Sequence, residues 1–120
     1  MRVLIIDDEP LVRRSLERVF QKNSHPVETA ANGIDGLKKW KEFKPDLVLL
    51  DVLMPGLTGP EVLQRVDRPL STKVILMSAF TGDSELSRAK DLGADLFLPK
   101  PFDDIFEVYR KSILIVEGST

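Results

Sequence analysis

The sequence predicts an α/β domain in which a five-stranded parallel sheet is covered by helices on both faces. Three observations support this. Five short apolar runs alternate with amphipathic segments along 120 residues. Three of those runs are apolar nearly throughout, as strands buried on both faces are. Each run is followed by a segment of helical periodicity, so a βα unit recurs about every 20–25 residues at ordinary loop lengths. Right-handed crossovers then make the sheet parallel and place helices on both sides.

The strand candidates, in order, are Arg2–Asp7, Val27–Ala30, Leu47–Asp51, Val74–Ser78 and Leu96–Leu98. The first helix starts near Pro10, a residue suited to an opening turn. It puts Val12, Leu16, Val19 and Phe20 on one side, with Arg13, Arg14, Glu17 and Arg18 on the other. The second spaces Ile34, Leu37 and Trp40 by three. The third, from about Pro60, carries Val62, Leu63 and Val66. The fourth carries Leu86 and Ala89 and stops near Gly93, a C-terminal cap. The last begins near Asp103 and shows Phe106, Tyr109, Ile113 and Val116.

Composition narrows the function. Residues 1–120 read as one domain, with Glu117–Thr120 as a frayed end. The 42% hydrophobic content is enough for one core, and the net charge of −2 argues against bulk affinity for nucleic acid or anionic membrane. Without cysteine there is no disulfide, zinc–thiolate site or cysteine nucleophile. His25 is the only histidine, which removes multi-histidine metal sites. The opening residues are too short a run for a signal peptide, and no stretch approaches the ~20 apolar residues of a membrane span. A cytoplasmic location fits these features.

The chemistry lies at the strand ends. Asp7 and Asp8 end the first strand, Asp51 the third and Ser78 the fourth, while Lys100 follows the fifth. In parallel sheets of this kind, ligands sit outside the carboxyl ends of the strands. Three carboxylates, a hydroxyl and an ammonium converge there. Crowded carboxylates need either a raised pKa or a neutralising cation, and an all-oxygen cluster with room for water suits Mg²⁺. A carboxylate nucleophile, a metal and donors for phosphoryl oxygens are what phosphoryl transfer requires. Taken singly, each residue has a plain structural role. An acidic pair can cap a helix, Asp51 can serve the Pro-Gly turn, Ser78 can bond its own backbone, and Lys100 can be solvated.

The acidic pair, the stretch Asp51-Val-Leu-Met54-Pro55-Gly-Leu-Thr-Gly59, Ser78-Ala79 and Lys100-Pro101-Phe102 occur in order over Val3 to about Lys111. Together they resemble the receiver domain of two-component response regulators, of the chemotaxis-regulator type. The resemblance implies a flavodoxin-like fold with strand order 2-1-3-4-5 and five helices. It implies that Asp51 is the phosphoacceptor, and that Asp8, Asp51 and the Leu53 carbonyl bind Mg²⁺ with Asp7 at the ion's edge. Lys100 pairs with the phosphoryl oxygens, Ser78 donates to them, and Phe97 occupies the switch-aromatic position. The Lys100–Pro101 peptide is expected to be cis. The phosphoryl donor is a sensor histidine kinase or a phosphotransfer protein. The protein is a signalling phosphoacceptor rather than an enzyme. The responding face comprises the fourth helix, the fifth strand and the last helix, and a homodimer through it is left open. No nucleic acid or membrane is contacted directly, and the chain is either a stand-alone regulator or one domain of a longer one.

Some positions depart from the common pattern. Phe97 lacks the hydroxyl of the usual tyrosine, which favours a buried ring and weakens its coupling to phosphorylation. Leu53 and Phe80 flank the site with apolar groups that cannot orient an attacking water, so the acyl phosphate is expected to be long-lived. The run Ser112–Val116 is apolar on consecutive positions, so either part of it is exposed as a dimer or partner contact or the helix end is tucked deeper on the sheet. Two rival functions share the fold class. An aspartyl-phosphate phosphatase of the haloacid dehalogenase type requires Asp-x-Asp spacing, which neither Asp7-Asp8 nor Asp51-Val-Leu provides. A receiver-like interaction domain that is never phosphorylated would not need all five polar residues.

Overall fold

The computed structural model describes residues 1–69, 71–79, 91 and 93–118. Its strands are β1 (Val3–Ile6), β2 (Val27–Ala30), β3 (Leu47–Asp51), β4 (Lys73–Ser78) and β5 (Leu96–Pro99). They form one parallel sheet in the order β2-β1-β3-β4-β5. The described helices are α1 (Pro10–Lys22), α2 (Gly33–Phe43), α3 (Gly59–Arg65) and α4 (Ile105–Val116). The helix expected on Leu86 and Ala89 lies outside the described residues, as do Phe80 and the last two residues of the tail. Gly93, expected as a helix cap, has φ of +91°, a conformation glycine adopts freely.

The strands alternate strictly between the two faces. Leu4, Ile6, Val48, Leu50, Val74 and Leu76 pack on one side with Trp40 and Val62. Val3, Ile5, Leu47, Leu49, Ile75 and Met77 pack on the other with Leu16, Phe20 and Val108. All four residues of β1 are fully buried, which is why it reads as an unbroken apolar run. Arg2 and Asp7, expected within this strand, fall outside it. The Arg2 backbone N–H donates to the Asp46 carboxylate, and Asp7 turns out of the strand toward Lys100.

In two helices one apolar residue of the expected face points outward, while Leu37, Trp40, Tyr109 and Val116 pack on the core as their spacing suggests. Ile34 is 68% exposed, and α2 buries Gly33 and Gly36 beside the expected Trp40. A Cβ on Gly36 would come within 2.7 Å of Ile6 Cδ1, so the missing side chain lets α2 lie directly on β1. In α4, Phe106 is 55% exposed and the buried pair is Val108 and Ser112. The Ser112 hydroxyl donates to the Val108 carbonyl at 2.7 Å, which satisfies it inside the helix and permits its burial. Leu114 in the same apolar run is exposed. No helix among the described residues is long and apolar enough to cross a membrane.

Candidate functional site

The carboxyl ends of β1, β3 and β5 bring the predicted polar residues together. Asp7 follows β1 and is fully buried, and its backbone N–H donates to Ala30 O. Asp51 closes β3, also buried, opposite Met77 in the ladder. Ser78 closes β4 one residue further on, and its carbonyl accepts from the Lys100 backbone N–H at 2.9 Å. That bond fixes the start of the β5–α4 connection, where the Lys100–Pro101 peptide is cis. Lys100 Nζ donates to Asp7 Oδ2 at 2.9 Å and to Glu9 Oε1 at 2.8 Å, and lies 3.5 Å from Asp51 Oδ1.

The β3–α3 segment folds tightly over this corner. Gly59 N–H donates to Val52 O, and a Cβ on Gly59 would come within 2.6 Å of Asp51 O. Only glycine allows the helix start to press so close to the Asp51 backbone. Thr58 then caps α3 in a reciprocal box with Glu61. Gly56, after Pro55, takes φ of +82° to complete the turn.

The acidic pair is not a helix cap. Glu9 stands at the N-cap of α1 with extended backbone, and its side chain makes no capping bond. Asp7 Oδ1 accepts the Glu9 N–H at 2.9 Å, while its other oxygen takes Lys100. The pair therefore faces the cluster. Oxygens of Asp7, Asp8, Glu9 and Asp51 all lie within 4.8 Å of one another. Asp8 and Glu9 sit on the exposed side and Asp7 and Asp51 on the buried side. An oxygen-only donor set that is open to water on one side fits a small hard cation.

Burial, then the charge of Asp7, pushes the Asp51 pKa up to about 7; Lys100 pulls the other way, and a hydrogen bond with Asp8 adds to the rise. Burial opposes the charge on Lys100, but its bonds to Glu9 and Asp7 and the charge of Asp51 outweigh this and push its pKa up. Among the other predicted residues, Leu53 is half-exposed beside the site and Phe97 is partly buried against the Trp40–Val62 side of the core. Two contributors were absent from the sequence reading of the site. Glu9 contacts Lys100, and Arg13 Nη1 donates to the Asp7 carbonyl at 2.7 Å. A cavity of about 720 Å³, lined in part by Leu37, Trp40, Lys41 and Arg65, lies near the start of β3 and shares no residue with this cluster.

The family model for the response regulator receiver domain matches residues 3–107. The chain belongs to that family. The transcriptional regulatory protein AfsQ1 of Streptomyces coelicolor is 39% identical over 99 residues, covering 82% of this chain and 44% of the relative. A protein-glutamate methylesterase/protein-glutamine glutaminase of Koribacter versatilis is 40% identical over 105 residues, covering 84% and 29%. The solved chemotaxis protein CheY4 of Vibrio cholerae is 30% identical with a TM-score of 0.84, covering 96% of this chain and 97% of that one. A CheY-like receiver domain from Methanospirillum hungatei shares the fold, with a TM-score of 0.88 at 23% identity and coverage of 97% and 93%. This receiver spans less than half the length of these two curated relatives. The expectation that the protein avoids nucleic acid gains nothing from a relative named as a transcriptional regulator. The expectation that it is not an enzyme gains nothing from one named as a methylesterase.

Proposed function

We propose that residues 1–120 form a single phosphoacceptor receiver domain in which Asp51 takes a phosphoryl group from a phosphohistidine on a sensor kinase or phosphotransfer protein. The observation that carries this reading is the buried ammonium of Lys100, bound to Asp7 and 3.5 Å from Asp51 at the carboxyl edge of the sheet. Asp8, Asp51 and the Leu53 carbonyl would hold Mg²⁺ with Asp7 at its edge, and the ion would supply positive charge for the phosphoryl oxygens. Asp51 is the nucleophile in its ionised form, and neighbouring positive charge favours that form against the burial that raises its pKa.

In the transfer, an Asp51 oxygen forms the new P–O bond while the P–N bond to the imidazole breaks. The electron pair leaves on the imidazole nitrogen. Lys100 follows the negative charge onto the phosphoryl oxygens, and Ser78 donates its hydroxyl to one of them. The acyl phosphate adds about −1.5 to −2 of charge by analogy with other phosphorylated side chains. Phe97, on the adjacent strand, follows the Ser78 movement only weakly for want of the tyrosine hydroxyl, and the face that includes β5 and α4 is altered. The domain catalyses its own phosphorylation and dephosphorylation and turns over no separate substrate.

Incubation with acetyl phosphate and Mg²⁺, followed by intact mass, tests this. One phosphoryl group is gained by the wild type and none by Asp51→Asn. A gain that survives Asp51→Asn would place the acceptor elsewhere. Continuous turnover of phosphate esters would favour a phosphatase.

A further inference from the structure

We propose that Glu9 is a positioning residue for Lys100, a releasable partner that competes with Asp51 for the ammonium and restrains phosphoryl transfer. This rests on the reading of Asp51 as the phosphoacceptor. Lys100 Nζ lies 2.8 Å from Glu9 and 2.9 Å from Asp7, both within charge-assisted hydrogen-bond length. Asp51 stands off at 3.5 Å. The resting lysine is thus committed to two carboxylates that do not react.

Those two carboxylates differ in what they lose when the lysine leaves. Asp7 is fully buried, so departure of the ammonium strands a charge away from water. The Glu9 side chain is 58% exposed, so water takes up its oxygens at once. Glu9 is therefore the partner that gives way. Its side chain makes no capping bond to α1, and its backbone N–H is anchored on Asp7 Oδ1. The anchored backbone holds the carboxylate beside Lys100, and the helix does not compete for it.

Two opposite effects follow from removing the Glu9 charge. The ammonium is freed for the phosphoryl oxygens, so transfer quickens. One of four clustered carboxylates is lost, so attraction for a divalent cation weakens. A residue that only shaped the start of α1 would not move the two quantities in opposite senses. With acetyl phosphate as donor, the bridging P–O bond breaks with its electrons leaving on acetate, and the Asp51 oxygen forms the new P–O bond. Lys100 changes partner and keeps its protons.

The test compares wild type, Glu9→Gln and Glu9→Ala. Initial phosphorylation rates with acetyl phosphate are read by intact mass across a Mg²⁺ series, and Mg²⁺ affinity is measured by calorimetry without donor. Both variants are expected to react roughly two- to fivefold faster at saturating Mg²⁺ and to bind Mg²⁺ roughly two- to fivefold more weakly, the range of a half-exposed ion pair. An unchanged or slower saturated rate, or unchanged Mg²⁺ affinity, overturns the proposal. If the wild type takes up no phosphoryl group, the phosphoacceptor reading fails instead. The Glu9 contact is then judged by the NMR scalar coupling across the hydrogen bond from Lys100 ¹⁵Nζ to the Glu9 carboxylate carbon, and absence of that coupling refutes it.

Discussion

Two clusters in this domain share a design. At the sheet edge Lys100 is held by Asp7 and Glu9 with Asp51 nearby, at 2.9, 2.8 and 3.5 Å. On α4, Arg110 is held by Glu107 and Asp104 at 2.6 and 3.5 Å. Distances alone do not separate them. Burial does: the Lys100 side chain is 6% exposed and that of Arg110 is 57%. The first cluster joins residues 93 apart in sequence, from three strand ends. The second joins residues at most six apart at one helix start. A charge cluster becomes chemically poised when the whole fold is needed to assemble it and water is largely kept out.

The largest test of this contrast removes the buried cation. Lys100→Met strands Asp7 and Asp51 as neighbouring buried charges. Breaking a buried pair from one side costs about 3–5 kcal/mol. The urea midpoint at pH 8, without divalent ions, is expected to fall accordingly, and millimolar Mg²⁺ is expected to recover part of the loss. An unchanged midpoint would mean that the sheet-edge cluster is no more coupled than the one on α4.

A second test uses protons. The Asp51 pKa lies at about 7 in the folded chain, against about 3.9 for an unperturbed aspartate. Between those values the folded state holds a proton that the unfolded state has released. The stability that Asp51 contributes is therefore fully present below about pH 4 and is lost as pH rises toward 7. Asp51→Asn does not pass through this decline. The variant is expected to gain on the wild type as pH rises from 5 to 8, by at most ~2.6 kcal/mol, at 1.36 kcal/mol per pKa unit. Added Mg²⁺ is expected to narrow the gap. Paired urea melts in EDTA check this, and a gap that stays flat with pH would contradict the raised pKa.

The strand-end residues were legible because each interrupts or follows an apolar run. Asp7, Asp51 and Lys100 stand where a buried strand meets polar chemistry, and parallel topology sends all such ends to one edge. Strand order could not be read from periodicity and came from the family resemblance. The exposure of Ile34 and Phe106 has a shared cause. Apolar spacing counts side chains, whereas α2 seats itself through Gly33 and Gly36, and α4 through Ser112, whose hydroxyl the helix itself satisfies. Nothing in the sequence ties Glu9 to the site, because a third acid in a run looks like one more solvated charge. Arg13 sits on the polar side of α1, and its partner is a main-chain carbonyl that no sequence pattern marks.

The smallest effect is expected at the exposed cluster, where the contrast is sharpest. Arg110 has a raised pKa, through its hydrogen bond to Glu107 and the Glu107 charge. That shift says little about stability, because both carboxylates and the guanidinium face solvent and salt. The side chains also lose rotamer freedom to hold the contact. Arg110→Ala is therefore expected to leave the urea midpoint at pH 8 unchanged within error at both low and high salt. If the variant is clearly destabilised, and more so at low salt, then short contacts matter here without burial. The sheet-edge cluster would then owe its properties to the number of carboxylates around one cation rather than to the exclusion of water.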